Sequence, residues 1–167
     1  VESPIPIDHP TIVTVVTDPE MPQTMLQVVA KMPKQGETTR ADYRRFVVSN
    51  LASQMLSMRL MDLADEPDAP FQFAQGSTDS LGRTADAVQL FAAPKAGKSL
   101  DALRAMLTEV KRATERGFTR GELDRAIAST ISNLERDSKE GDKMEGGELA
   151  AETVRNFLEG EQMPDRK

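Results

Sequence analysis

From Thr11 onward, apolar runs alternate with short polar breaks, and the period of each run names the element it predicts. Thr11-Ile-Val-Thr-Val-Val-Thr17 is β-branched at every position, which predicts a strand. Its side chains alternate, with Ile12, Thr14 and Val16 on one side and Val13 and Val15 on the other. Asp18-Pro19-Glu20-Met21-Pro22 breaks that run, and Met25 to Met32 predicts a second strand closed by Pro33. From Thr39 to about Ala64, Tyr43, Phe46, Val47, Asn50, Leu51, Met55, Met58 and Leu60/Met61 recur at three- and four-residue steps, one helical stripe. Thr39 with Asp42 is the cap pair that opens it, and Pro67 in Asp65-Glu66-Pro67-Asp68 ends it.

Phe71 to Ala74 and Ala85 to Ala92 read as two further strands, joined by a turn over 76–83. Leu100, Leu103, Met106, Leu107 and Val110 stripe the next helix, about 99–116, which Gly117 stops. Thr119-Arg-Gly-Glu122 is a capping box opening a third helix, about 120–136, striped by Leu123, Ala126, Ile127, Thr130, Ile131 and Leu134. Asp137 to Gly147 reads as a charged loop. Leu149, Val154, Phe157 and Leu158 then stripe a last short helix.

The order β-β-α-β-β-α-α-α predicts an α+β fold of two layers: a sheet of four or more antiparallel or mixed strands with helices packed on one face. Both sides of Thr11–Thr17 are partly apolar, so the second sheet face is expected to be covered as well, by a neighbouring domain. The predicted core is Phe46, Leu51, Met55, Leu103, Leu107, Ile127 and Ile131. Prolines 4, 6 and 10 make residues 1–10 an extended linker arm, leaving 11–160 as one domain and 161–167 as a tail.

Composition narrows the function. The 167 residues carry 21 basic and 27 acidic side chains, net −6, with one tyrosine and no tryptophan. Nucleic-acid binding rests on cations that neutralise phosphates, so nucleic-acid partners are excluded. No apolar run approaches the roughly 18 residues of a membrane span. The absence of cysteine removes thiol catalysis, thiolate metal sites and disulfides together. The chain opens on Val1 with no signal-like stretch, which predicts a mature or excised piece of a longer protein.

Four groupings imitate chemical sites. His9 is the single histidine, whereas a zinc site needs three or four ligands, and H-E-x-x-H and H-x-x-E-H are both absent. Ala92-Ala-Pro-Lys-Ala-Gly97-Lys98-Ser99 ends like a phosphate-binding loop, but its leading glycine is Ala92 and Pro94 has no N–H. There Gly97 is expected to turn the chain, Lys98 to be solvated and Ser99 to cap the helix. Asp137 to Glu148 frames a calcium loop with acids at both ends, yet Lys139, Gly141 and Lys143 stand at ligand positions and Asp142 replaces the required glycine. Asp62, Asp65, Glu66 and Asp68 cluster at a helix end rather than flanking a cleft, and Met55, Met58 and Met61 are read as core filler. No catalytic, cofactor-binding or metal-ligating residue is assigned in this segment.

Three segments together resemble the non-catalytic second domain of the insulinase/pitrilysin family of zinc metallopeptidases. They are Thr11–Lys31 (T-I-V-T-V-V-T-D-P-E-M-P-Q-T-M-L-Q-V-V-A-K), Leu56-Ser-Met-Arg59-Leu60 leading to Asp68-Ala-Pro70-Phe71, and Glu109–Ala126 with its helix–Gly-Phe-Thr–helix joint. The resemblance covers roughly residues 8–160. It implies a clamshell protease built from homologous α+β domains, in which a preceding domain carries H-x-x-E-H and the zinc. The arm would then be the linker from that domain. The family's arginine–tyrosine pair, seven residues apart, falls on Ala64 and Phe71 here, so both members are replaced, and Arg59 matches a helix-end arginine instead.

The resemblance implies a structural domain lining the peptide chamber, with the parent's catalytic domain or a homologous subunit as partner and a peptide as substrate. Zinc is expected only in that catalytic domain, and a bacterial periplasm or envelope is the expected location, the cytoplasm being the alternative. A second reading makes the chain an inactive partner subunit of a heterodimeric peptidase. A distant third, resting on Gly97-Lys98-Ser99 alone, is nucleotide binding.

Overall fold

The computed structural model describes residues 4–36, 38–140 and Val154. Three strands and three helices follow one another as β1 (Leu26–Pro33), α1 (Arg40–Ala64), β2 (Phe71–Ser80), β3 (Ala85–Pro94), α2 (Ser99–Arg116) and α3 (Arg120–Glu140). The class is α+β, with one antiparallel sheet in the order β1-β3-β2. Elements fall in two compact units: one holds the sheet, α1 from Ala52 and α2, and the other holds the chain from Gln35 to Leu51 and α3.

In the first unit β3 is central. Val28 of β1 and Gly76 of β2 both stand opposite Leu90, and Leu26 and Ala74 stand opposite Ala92. Period-two alternation puts these residues on one face, where Leu90, Ala92 and Ala74 meet Phe71 to form the core with Leu60 of α1 and Ala102 and Met106 of α2. The sheet therefore carries helices on one face, as expected. The other face holds a polar chain across all three strands. Gln27 Nε2 donates to Gln89 Oε1 at 2.7 Å, Gln89 Nε2 to Asp79 Oδ2 at 3.2 Å, and Ser77 Oγ to the same oxygen at 2.6 Å.

The strand count corrects the reading of the sequence. Thr11–Thr17 is not a strand: it has no ladder partner among the described residues, and Ile12, Val13, Val15 and Val16 are 70–84% exposed. A strand needs a paired neighbour, and β-branched composition supplies only the propensity. Residues 76–80, expected in a turn, extend β2, because Ser77, Thr78, Asp79 and Ser80 find partners in Gln89, Val88, Ala87 and Asp86. The turn narrows to 81–84, where Gly82 takes a positive φ of 138°. Asp137 to Glu140, expected in a loop, continue α3. The expected last helix around Val154 and the 161–167 tail lie outside the described residues, Val154 itself being helical.

The core is smaller-grained than expected. Of the seven predicted core residues only Met55 is buried; Leu51 and Leu103 are half-buried, and Phe46, Leu107, Ile127 and Ile131 are exposed. Helix α2 turns Ala102, Met106 and Glu109 inward rather than its leucine line. Alanines 74, 92 and 102 of the core cluster are fully buried, so sheet and helix meet there over short side chains. Met61, expected as filler, lies 45% exposed at the edge of that contact.

Local signals at the helix ends behave as read. Gly117, at φ 69°, closes α2 and donates its N–H to Ala113 O at 3.0 Å. In the second unit Glu122 Oε2 accepts the Thr119 N–H at 2.6 Å and its hydroxyl at 2.8 Å, and Glu122 N–H returns a bond to Thr119 Oγ1 at 3.3 Å. Thr39 and Asp42 make the same box at the start of α1.

Candidate functional site

Ala64 and Phe71, the two positions singled out by the sequence resemblance, lie at the junction of α1 and β2. Ala64 closes α1 and packs, half-buried, on the core cluster, while Phe71 opens β2 with no exposed surface. The helix ends because Glu66 N–H bonds Leu63 O at 3.3 Å and Ala69 N–H bonds Glu66 O at 3.1 Å, a tight turn carrying Pro67. That turn buries the ring of Phe71 beside Leu60 and Met106 instead of presenting it to a ligand. A phenyl ring also lacks a hydroxyl to donate. Both positions pack on the core cluster.

Arg59 has a different task. Its Nη2 donates to Gly117 O at 3.1 Å, and its guanidinium stands 4.7 Å from the centre of the Phe118 ring. One side chain of α1 thus satisfies the carbonyl left over after α2 and stacks on the next residue, joining carbonyl hydrogen bonding to a cation–π contact. The Gly-Phe pair of the joint owes its placement to this arginine. The sequence marked Arg59 as a helix-end residue but held no signal of its partner 58 positions away.

Other sequence candidates stay apart. Asp62, Asp65, Glu66 and Asp68 are exposed and form no ion pair among the described residues. His9 is exposed, with Nδ1 2.8 Å from Pro10 O. At the phosphate-loop imitation Gly97 has φ 72° and turns the chain as expected. Ser99 does not cap α2, however. Lys98 stands at the cap position without a side-chain cap bond, and its Nζ donates instead to Asp101 Oδ2 at 3.3 Å. Asp137 of the calcium-loop frame is helical, and most of that frame lies outside the described residues.

The sequence resemblance implies zinc only in a neighbouring catalytic domain. The chain has one histidine and no cysteine, and among the described residues no three His, Asp or Glu side chains are grouped as ligands. Sequence reading missed two buried acids. Asp86 is neutralised by Lys34 Nζ at 3.3 Å, and Glu109 by Arg112 Nη1 at 2.6 Å. Each of these two acids thus has an ion-pair partner. No described helix is long and apolar enough to cross a membrane.

No protein-family profile and no curated protein matches the chain. Solved structures do. The first half of the periplasmic protease PqqL from Escherichia coli superimposes with a TM-score of 0.80 at 12% identity, over 90% of this chain and 32% of that one. The whole PqqL protease matches at 0.76 and 11% identity, over 85% of this chain and 16% of that one. A predicted insulinase family protease from Yersinia pestis matches at 0.70 and 14% identity, over 88% of this chain and 32% of its own. The chain therefore spans about a third of two of these proteins and a sixth of the other. It has the fold of one domain-sized part of an insulinase-type protease.

Proposed function

We propose that this chain serves as a non-catalytic domain of a zinc metalloendopeptidase of the insulinase/pitrilysin type. It takes part in proteolysis by packing beside a catalytic domain and walling the peptide chamber. The observation that carries this reading is the 0.80 superposition over 90% of the chain on one third of a half-protease, in a sequence with a single histidine. Zinc would be held by the parent's catalytic domain. Residues 11–160 would act as one domain, with 1–10 as the linker from that neighbour and 161–167 as a tail. A bacterial periplasmic setting is supported by the description of PqqL as a periplasmic protease.

In that role the net charge of −6 contributes a field inside a closed cavity, which favours cationic segments of an entering peptide. The purified chain, supplied with zinc and an unfolded peptide, is expected to leave the peptide intact. Zinc-dependent cleavage by the chain alone overturns the proposal. The coding sequence upstream supplies a second test: a continuous frame running into an H-x-x-E-H domain is expected, and a native start near Val1 after a leader would favour an inactive partner subunit instead.

A further inference from the structure

The two edges of the sheet are finished differently. Along the outer edge of β2, Ser57 of α1 takes both backbone groups of Gly76: its Oγ donates to Gly76 O and accepts the Gly76 N–H, each at 3.0 Å. A helix thus blunts that edge, one of the ways sheets avoid unwanted pairing. The outer edge of β1 has no such cover. Leu26–Pro33 pairs with β3 alone among the described residues, over eight positions, and Val29 and Ala30 are exposed. The same chain also carries a strand with no sheet, because Thr11–Thr17 is β-branched throughout, uncharged and unpaired.

The strand does not close onto its own edge, for a local reason. Residues 18–25 join it to β1, and they contain Pro19 and Pro22. Tight hairpins use Gly or Asn at positive φ, whereas proline fixes φ near −65° and removes a donor. The loop turns at Asp18, where Met21 N–H bonds Asp18 O at 3.1 Å and Glu20 N–H bonds Asp18 Oδ1 at 2.9 Å. That turn leaves the preceding segment standing off the sheet. The arm is held at the far end of β1, where Ile5 N–H donates to Thr84 Oγ1 at 3.1 Å and Lys34 N–H to Thr84 O at 3.4 Å.

We propose that Thr11–Thr17 is a donated strand, and that its acceptor is the free β1 edge of a second copy of this chain, in a reciprocal exchange. Seven residues meet an eight-residue edge, and two-fold symmetry makes both ladders at once, so neither copy keeps an open edge or an exposed apolar strand. Main-chain hydrogen bonds supply the affinity, as in other strand additions. A second copy is the favoured occupant because one chain carries both complementary parts. An extended peptide of another protein would leave Thr11–Thr17 exposed.

Sedimentation velocity of the 167-residue chain from low to high micromolar concentration tests this. The expected result is a dimer that dissociates on dilution. Val13→Pro with Val15→Pro should weaken it by roughly tenfold or more, because proline cannot donate to a ladder. These sites make no contact in the monomer, so the melting temperature of the monomer should not move. In the dimer the amides of Thr11–Thr17 and β1 should gain hydrogen-exchange protection together. A chain that stays monomeric throughout overturns the proposal, as does a dimer that survives both prolines. Protection of Thr11–Thr17 in the monomer, which would report pairing within one chain, overturns it equally.

Discussion

The hydroxyl of Ser57 serves the N–H and the C=O of Gly76 at once, both at 3.0 Å, and so docks α1 on β2 through polar bonds beside the apolar contacts of the core. Two turns of sequence pattern meet here. Ser53 and Ser57, one helical turn apart, face Thr78 and Gly76, two residues apart on the strand, and Ser53 Oγ lies 3.2 Å from Thr78 Oγ1. A side chain on residue 76 would stand 3.2 Å from Leu56 Cδ2 and 3.3 Å from Leu90 Cδ2, so glycine permits the approach.

Removal of that hydroxyl leaves two half-buried backbone groups without their partner. Ser57→Ala is expected to destabilise the chain by about 1–3 kcal/mol in urea unfolding. Gly76→Ala should also destabilise, by crowding Leu56 and Leu90. The double variant should cost less than the sum, because both changes disturb one contact. Strict additivity in the unfolding curves would separate the two effects.

The buried methionine of α2 and the exposed leucine beside it make a clean comparison. Met106→Ala should cost about 2–5 kcal/mol, since Met106 lies fully inside the cluster with Leu60 and Phe71. Leu107→Ala and Ile131→Ala, at 46% and 51% exposure, should each cost under about 1 kcal/mol in the same assay. A large loss at Leu107 would mean that its helix face is covered in solution.

Acid should loosen the start of α1. The carboxylate of Asp42 is held below its ordinary range by the Thr39 hydroxyl at 2.7 Å, then by the Thr39 N–H at 3.0 Å, with Arg45 adding a weaker pull. A depressed folded-state value means that the stabilisation is present above the unfolded carboxylate range. It is lost as the pH falls through that range and the group takes up its proton. Wild type and Asp42→Asn should therefore differ in melting temperature near neutral pH and converge in acid. A constant gap across the titration would refute the linkage.

Arg59 should resist replacement by lysine. Arg59→Ala removes both the bond to Gly117 O and the stack on Phe118, and should cost about 1–3 kcal/mol. Arg59→Lys keeps the charge but not the planar fork, so it should recover less than half of the loss. Full rescue by lysine, read from chemical unfolding, would show that charge alone matters.

Lys98 should be dispensable. It faces Asp101 on the surface, and titration calorimetry with millimolar magnesium-ATP should show no heat for the wild-type chain. Binding that disappears in Lys98→Ala would restore the nucleotide reading.

The sequence by itself determined what depends on neighbours a few residues away. The bounds of α1 and α2, the boxes at Thr39–Asp42 and Thr119–Glu122 and the stop at Gly117 all rest on bonds spanning three or four residues. Part of the inward face of α2 was legible too, since Met106 and Val110 of its stripe meet the core, but its rotation was decided only in the tertiary structure. Apolar periodicity weights large leucines, yet Ala102 and Met106 are the fully buried residues of α2, against Ala74 and Ala92 of the sheet, while Leu100 and Leu107 are exposed. The grip of Arg59 on Gly117 and of Ser57 on Gly76 also escaped, because each joins elements far apart in the chain. Thr11–Thr17 makes the same point from the other side: propensity can nominate a strand, but only a partner edge makes one.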